Sequence, residues 1–210
     1  MSWFSDLFGG APKAQGEPIV IVSGLPRSGT SMMMKMLEAG GLSVMTDGER
    51  VADVDNPKGY YEYERVKELE KEKDKSYLRD GRGKVLKVIS FLLKELPDDN
   101  DYRIVFMRRD LGEVLASQNK MLKHRGEENK TEDAKMQDIY FSHLASVRIL
   151  SRKKTNWKFL EVRYDETVKN GAVTAKILNE FLGGRLDERK MVEAVDAELY
   201  RNRKDRPAKE

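Results

Sequence analysis

The chain has 210 residues, of which 36% are charged, yet its formal net charge is only +3. It contains no cysteine and two histidines, which excludes disulfides and thiolate chemistry and argues against a histidine-built zinc site or a Ser-His-Asp triad. Charges of both signs are interspersed, so no nucleic-acid partner is expected, and no apolar run is long enough to span a membrane.

Residues 1–17 are predicted to form a flexible tail before a single α/β domain at 18–204, and residues 205–210 form a charged C-terminal tail. In the first tail, the apolar side chains of Trp3–Phe8 fall on one side of a short helix. This peptide is either a tail, free or docked on its own domain, or a motif that docks on a partner or a membrane surface. It lacks the pattern of a secretory signal, so we expect a cytoplasmic location.

The first predicted strand, at about 18–23, leads directly into a loop rich in Gly, Pro and Ser, and a helix follows the loop. This order is typical of a phosphate cradle, in which backbone N–H groups and a helix N-terminus converge on an anion. Gly24 and Gly29 have the separation of the two glycines in a Walker A loop, but Thr30 stands where that loop has its lysine. The cation lies inside the loop instead, at Arg27.

The rest of the chain alternates between predicted strands and helices. In order, it has a helix at about 29–40, a strand near 42–45, a charged helix at about 62–78, a strand at 84–89, a short helix that stops at Pro97, a strand at 103–109, a helix after Asp110, a long helix at about 131–153, a strand at 157–164, and helices at about 170–182 and 187–199. The alternation predicts a three-layer αβα fold with a parallel sheet of about five strands.

Four side chains stand where predicted strands of this sheet end or just beyond, at Arg27, Lys87, Arg109 and Tyr164. Ligands of open parallel sheets bind at the carboxyl ends of the strands. We therefore expect these four residues to share one edge of the sheet, where they would form a ligand site.

The loop resembles the 5′-phosphosulfate loop of sulfotransferases that use 3′-phosphoadenosine 5′-phosphosulfate (PAPS), which reads Pro-Lys/Arg-Ser-Gly-Thr-Thr/Ser. The resemblance implies a P-loop-type nucleotide-binding fold, with PAPS as the donor, adenosine 3′,5′-bisphosphate as the product and no required metal. It assigns contacts with the donor nucleotide to the loop residues Arg27, Ser28, Gly29, Thr30 and Ser31.

A second stretch, from Arg109 to Ser117, resembles the 3′-phosphate motif of the same family. The arginine and the serine stand at the family's spacing, whereas the frequent proline of the motif is Leu111 here and its acidic residue is Glu113. An arginine at a strand end can donate two hydrogen bonds to a phosphate. The two motifs together fit a ligand with two separated phosphate ends better than they fit a triphosphate.

Two further matches are weaker. Tyr164 ends a predicted strand as the family's Tyr-Glu-Asp tyrosine does, which implies a contact with the adenine. The C-terminal stretch Leu199–Arg203 is similar to that of bacterial members, and Arg201 or Arg203 would close over the phosphates.

The resemblance implies in-line attack of a hydroxyl or amine acceptor on sulfur. Arg27 and the loop amides would stabilise the leaving group. Lys87 corresponds to a strand lysine of cytosolic sulfotransferases, but the histidine that follows that lysine in the family is absent. For the general base, Glu49 is the first candidate, Asp47 the second and Glu62 the third.

Two other functional classes remain open. One is a P-loop kinase or nucleotide hydrolase, which the missing lysine disfavours. The other is a non-catalytic sulfotransferase-like protein that binds nucleotide and recruits partners through its N-terminal tail. The acceptor substrate is not readable, because acceptor pockets are built from variable loops.

Overall fold

The computed structural model describes residues 16–47, 61–127 and 131–195. Within these ranges the chain forms one sheet of four strands, all parallel, in the order β2-β1-β3-β4. The strands are β1 (Ile19–Gly24), β2 (Val85–Lys87), β3 (Tyr102–Arg108) and β4 (Trp157–Arg163). The predicted N-terminal motif Trp3–Phe8 and the C-terminal tail at 205–210 lie outside the described residues.

The helices fall between and after the strands, as right-handed parallel connections require. They are α1 (Thr30–Ala39), α2 (Glu64–Lys67), α3 (Leu111–His124), α4 (Asp133–Lys153), α5 (Tyr164–Lys169), α6 (Gly171–Leu182) and α7 (Glu188–Glu193), with short 3-10 helices at Ser76–Gly81 and Ser90–Glu95. Among the described residues, none of these helices combines the length and the apolar character that a membrane crossing needs.

Alternate residues of the buried strands feed two separate apolar cores. On one face of the sheet, Ile21 and Phe106 pack with the buried sides of α3 and α4. On the other face, Val22 and Val105 pack with the methionine-rich side of α1 and with α6 and α7. The expected three-layer αβα fold is therefore confirmed, with helices covering both faces of a parallel sheet.

The strand register aligns the carboxyl ends of all four strands. Val22 of β1 pairs with Lys87, the last residue of β2. Gly24 at the end of β1 pairs with Met107 in β3, and Arg108 at the end of β3 pairs with Arg163 at the end of β4. The loops that follow these strands consequently emerge at one edge.

Three local predictions differ from the structure. The strand expected near 42–45 is reduced to a single parallel bridge between Val44 and Val85. The charged helix expected at 62–78 is wrong in extent, since α2 has only 4 residues. Its sequence offers few apolar side chains to bury, and an isolated charged helix gains little from propensity alone. The predicted strand at 157–164 ends one residue early, because Tyr164 opens the unpredicted helix α5.

Candidate active site at the carboxyl edge of the sheet

The loop between β1 and α1 has a tight backbone that its glycines permit. Gly29 has a φ of 101°, and a Cβ atom placed there would lie 2.3 Å from the ring of Tyr164. Gly24 is similarly confined, since a Cβ atom there would lie 2.4 Å from the hydroxyl of Ser28. Arg27 also has a left-handed backbone, with a φ of 66°, although it is not a glycine. Backbone strain of this kind is concentrated at functional sites.

Ser28 is the most enclosed polar side chain of this loop. The residue is 1% exposed, and its hydroxyl has no hydrogen-bond partner among the described residues. α1 begins directly after it, with Gly29 as an N-cap that supplies no side-chain acceptor. The first N–H groups of an α-helix have no partner within the helix. An orphaned buried hydroxyl next to an uncapped helix start fits an anion such as a phosphate or sulfonate.

Arg27 connects this loop to the second predicted motif. Its Nε donates to the hydroxyl of Ser117 in α3 at 3.0 Å. Its main-chain carbonyl accepts a hydrogen bond from Nη1 of Arg109 at 3.1 Å. The two arginines and the serine, which are up to 90 residues apart in sequence, thus form one cluster.

Besides its hydrogen bond to the Arg27 carbonyl, the Arg109 side chain contacts Glu113 and Tyr164. Its Nε donates to Oε2 of Glu113 at 3.0 Å, and the two side chains are only 7% and 8% exposed. Its guanidinium lies over the ring of Tyr164, 4.5 Å from the centroid. Asp110 caps α3 by accepting from the N–H groups of Gly112 and Glu113. This cap fixes the first turn of α3, so that Glu113 faces Arg109.

Tyr164 follows β4 at the expected edge of the sheet, but the contacts that its ring makes there were not predicted from the sequence. It is 4% exposed, and its ring lies against both Gly29 and Arg109. It joins the β1–α1 loop to the end of β3, and its expected contact with adenine stays a prediction. Arg201 and Arg203, which were expected to close over the phosphates, lie outside the described residues.

Lys87, at the end of β2, lies between the loop and a carboxylate. Its Nζ is 3.4 Å from the hydroxyl of Ser31 and 3.5 Å from Oε1 of Glu62. Glu62 also pairs with Lys67 at 2.9 Å, and both Glu62 and Lys87 have side chains that are 15% exposed. A carboxylate and a lysine are consequently held together beside the first turn of α1.

The three carboxylates considered as a general base have different surroundings. Glu49, the first candidate, lies outside the described residues. Asp47 accepts a hydrogen bond from the main-chain N–H of Glu64, at the start of α2, which is a capping arrangement. Glu62, ranked last from the sequence, is the carboxylate seen beside Lys87. No local sequence signal ranks Glu62 higher, because its neighbours come from α2 and β2.

His143 of α4 is far in sequence from the three carboxylates and packs against Ser90 and Phe91. Its Nε2 is 2.9 Å from the hydroxyl of Ser90, and its ring stacks on Phe91 with 3.8 Å between centroids. Burial lowers the pKa of the His143 imidazole below its ordinary value. The neutral form is therefore favoured at pH 7, and the contacts indicate a packing role. In the described ranges, no three His, Asp or Glu side chains are grouped as a metal site would need.

Comparison with known proteins gives one family and a set of similar folds. A family model described as a sulfotransferase domain matches residues 17–210. Mouse sulfotransferase SULT7A1 complexed with PAP is 15% identical, with a TM-score of 0.54 over 94% of this chain and 70% of that one. The sulfotransferase domain from the curacin biosynthetic pathway is 15% identical, with a TM-score of 0.52 over 86% of this chain and 78% of that one. At this identity the structures show a shared fold. A search of curated protein sequences finds no significant match.

Proposed function

Because the chain belongs to the sulfotransferase domain family, we propose that it transfers a sulfonate group from PAPS to a hydroxyl or amine acceptor and releases adenosine 3′,5′-bisphosphate. The observation that carries this proposal is the cluster in which Arg27 contacts both Ser117 and Arg109. It brings the loop that resembles a 5′-phosphosulfate site against the motif that resembles a 3′-phosphate site.

The residues that would hold the donor nucleotide form what we call the donor half of the site. They are Arg27, Ser28, Gly29, Thr30, Ser31, Arg109, Ser117 and Tyr164. The buried Ser28 hydroxyl and the glycine-lined start of α1 are suited to the oxygens of a 5′-phosphosulfate. Arg109 and Ser117 would bind the 3′-phosphate, because a guanidinium and a hydroxyl together match its oxygens.

When bound, PAPS supplies the sulfonate and a phosphate oxygen as the leaving group. Arg27 and the N–H groups at the start of α1 would neutralise the charge that develops on that oxygen. Lys87, within 3.4 Å of Ser31, would add a second cation near the same place. These groups are already in place in the structure. Few side chains would therefore have to move as negative charge develops on the leaving oxygen.

The residues beside Lys87 form what we call the acceptor half of the site. It consists of the segments 46–47 and 61–64 together with Lys87. The proposal assigns the general base to Glu62, in place of Glu49, because Glu62 lies 3.5 Å from Lys87. Its carboxylate would accept the proton of the acceptor hydroxyl or amine as that atom bonds to sulfur. Lys67 and Lys87 also place two positive charges beside this carboxylate.

Thermal unfolding with and without ligand tests the donor half. We expect adenosine 3′,5′-bisphosphate to raise the melting temperature, because a ligand that binds only the folded state stabilises it. ATP with magnesium should raise it far less. Stabilisation by ATP with magnesium alone would instead favour a kinase or nucleotide hydrolase.

Conversion of PAPS to adenosine 3′,5′-bisphosphate tests the acceptor half. The E62Q variant should lose about a hundredfold or more in turnover, the usual range for a general base, with unchanged affinity for adenosine 3′,5′-bisphosphate. D47N is the matched control, since asparagine keeps a side-chain oxygen that can accept from the N–H of Glu64, and it should stay near wild type. Full activity in E62Q with strong loss in D47N would move the base to Asp47.

The acceptor, a docking role for Trp3–Phe8 and a cytoplasmic location are further parts of the proposal. Deleting residues 1–15 while retaining PAPS turnover would separate docking from catalysis. Fractionation of the full chain with and without those residues would test whether they bind a partner or a membrane surface.

A further inference from the structure

The backbone at Tyr61 is unusual for a non-glycine residue. Among the described residues, only Arg27 and Tyr61 are non-glycine residues with positive φ, and the φ of Tyr61 is 54°. A left-handed tyrosine is sterically strained and persists only where its surroundings impose it. Arg27 belongs to the donor half, and Tyr61 directly precedes the proposed base. This position suggests that the strain at Tyr61 serves the placement of Glu62.

A hydrogen bond to α1 fixes the Tyr61 side chain. Its hydroxyl donates to Oε2 of Glu38 at 2.7 Å, while its ring packs against the core on the α1 face of the sheet. Burial, reinforced by the Glu38 carboxylate, raises the pKa of Tyr61 above its ordinary value, so the phenol keeps its proton and remains a donor. The ring and the hydroxyl are thus both anchored to a rigid helix.

Two more hydrogen bonds hold the main chain on the other side of Glu62. The hydroxyl of Thr46 donates to the main-chain carbonyl of Glu62 at 2.7 Å. The carboxylate of Asp47 accepts from the main-chain N–H of Glu64. The main chain on both sides of Glu62 is therefore held by hydrogen bonds, and its side chain is 15% exposed. The direction it takes leads to Lys87 and Lys67.

We propose that the Tyr61–Glu38 hydrogen bond is the positioning element that holds Glu62 against Lys87 in the acceptor half. This inference rests on the proposed function, in which Glu62 takes the acceptor proton. Neither Tyr61 nor Glu38 touches the reacting atoms, so both act through Glu62. A carboxylate held in place beforehand needs no search for its reactive orientation during turnover.

The test uses the full chain with PAPS and with water as the acceptor. The water oxygen bonds to sulfur, the bond from sulfur to the 5′-phosphate oxygen breaks, and the water proton passes to Glu62. The products are sulfate and adenosine 3′,5′-bisphosphate. Y61F removes only the donor hydroxyl, E38A removes the acceptor, and E38Q keeps an acceptor oxygen. Y102F is the matched control, because the Tyr102 hydroxyl donates to the carbonyl of Pro97 at 3.0 Å at the opposite edge of the sheet.

We expect kcat to fall about tenfold in Y61F and in E38A, with little further loss in the double variant, because both changes break one interaction. KM for PAPS and the affinity for adenosine 3′,5′-bisphosphate should stay unchanged. E38Q should recover most of the rate, and Y102F should keep it.

Several outcomes would overturn the inference. They are a wild-type kcat in Y61F, losses that add fully in the double variant, or an equal loss in Y102F. A parallel fall in affinity for adenosine 3′,5′-bisphosphate would also overturn it, because the effect would then be a general loss of structure. If E62Q itself turns over PAPS at the wild-type rate, the assignment of the base fails as well. A Y61F variant that is fully active while E62Q is inactive overturns the positioning role alone.

Discussion

The donor and acceptor halves of the site meet where Lys87 contacts Ser31, but they are built in different ways. The donor half follows the ends of β1, β3 and β4, whose register is fixed by main-chain ladders such as the pairing of Arg108 with Arg163. The acceptor half, apart from Lys87, contains no strand, and side-chain hydrogen bonds from Thr46, Asp47 and Tyr61 hold it in place.

This difference predicts that mutations in the two halves will affect different properties of the protein. Several donor-half side chains, including those of Ser28, Ser117 and Tyr164, are buried at the sheet ends. A change at one of them should lower folding stability and nucleotide affinity together. Acceptor-half side chains are joined to the fold by side-chain hydrogen bonds, each worth about 1 kcal/mol, and not by a strand ladder. A change there should lower turnover while leaving stability nearly intact. Measuring both quantities on the same variants would test the distinction.

The largest effect is expected for R109A in the donor half. The substitution removes the buried ion pair between Arg109 and Glu113, and breaking such a pair typically costs about 3–5 kcal/mol of stability. Affinity for adenosine 3′,5′-bisphosphate should also fall by about a hundredfold, the upper range for hydrogen bonds to charged groups. Denaturant unfolding and calorimetric titration measure the two losses.

The double variant R109A/E113A is the control for this prediction. Removing both charges should restore part of the stability, because the buried carboxylate that paired with Arg109 is then also absent. It should not restore nucleotide affinity. A single variant as stable as wild type would contradict the view that the donor half is integral to the fold.

A smaller effect is expected for G29A, for which G41A is the matched control. Both glycines have a positive φ, at 101° and 105°. A Cβ at Gly29 would meet the Tyr164 ring, whereas nothing lies within 4 Å of one at Gly41. G41A should thus cost only its backbone strain, about 1 kcal/mol, and G29A about 1–2 kcal/mol more. Nucleotide affinity should fall in G29A alone, and equal losses in both variants would exclude the steric explanation.

The smallest effect is expected for the pH dependence of folding stability. It concerns His143 of α4, which packs on Ser90 and Phe91 after β2. Because burial lowers the pKa of His143 in the folded protein, the unfolded chain binds the proton more readily. Stability should therefore decrease as the pH falls below about 6.5, the ordinary histidine value. H143Q should weaken this dependence without changing nucleotide affinity. An unchanged pH dependence of unfolding in H143Q would show that His143 contributes nothing to it.

The placement of the two donor-half motifs at one edge of the sheet was predictable from sequence because their signals are local. The loop at Gly24–Ser31 and the motif from Arg109 to Ser117 each occupy a short continuous stretch after a strand. Parallel strands bring such stretches to one edge whatever their order in the sheet. What could not be predicted is the direct contact of Arg27 with Ser117, since it depends on how α3 packs beside the loop.

The acceptor half was predicted less well because its geometry depends on distant side chains. The charge pattern at 62–78 favoured one long helix, whereas α2 ends after Lys67. Glu62 gains its position from Glu38, Thr46 and Lys87, which lie up to 25 residues away in sequence. No periodic pattern records contacts of that kind.

The two contacts of Arg27, with Ser117 and with Arg109, have a consequence for which nucleotides the protein binds. Its side chain bonds to Ser117 and its carbonyl to Arg109, so a shift of this one residue displaces both ends of the proposed nucleotide cleft. Occupation of one end should then alter affinity at the other, and such linkage is reciprocal. A nucleotide with both phosphates would gain this cooperative term, and 5′-AMP would not. The cleft would thus select against abundant mononucleotides through coupling, without any contact that repels them.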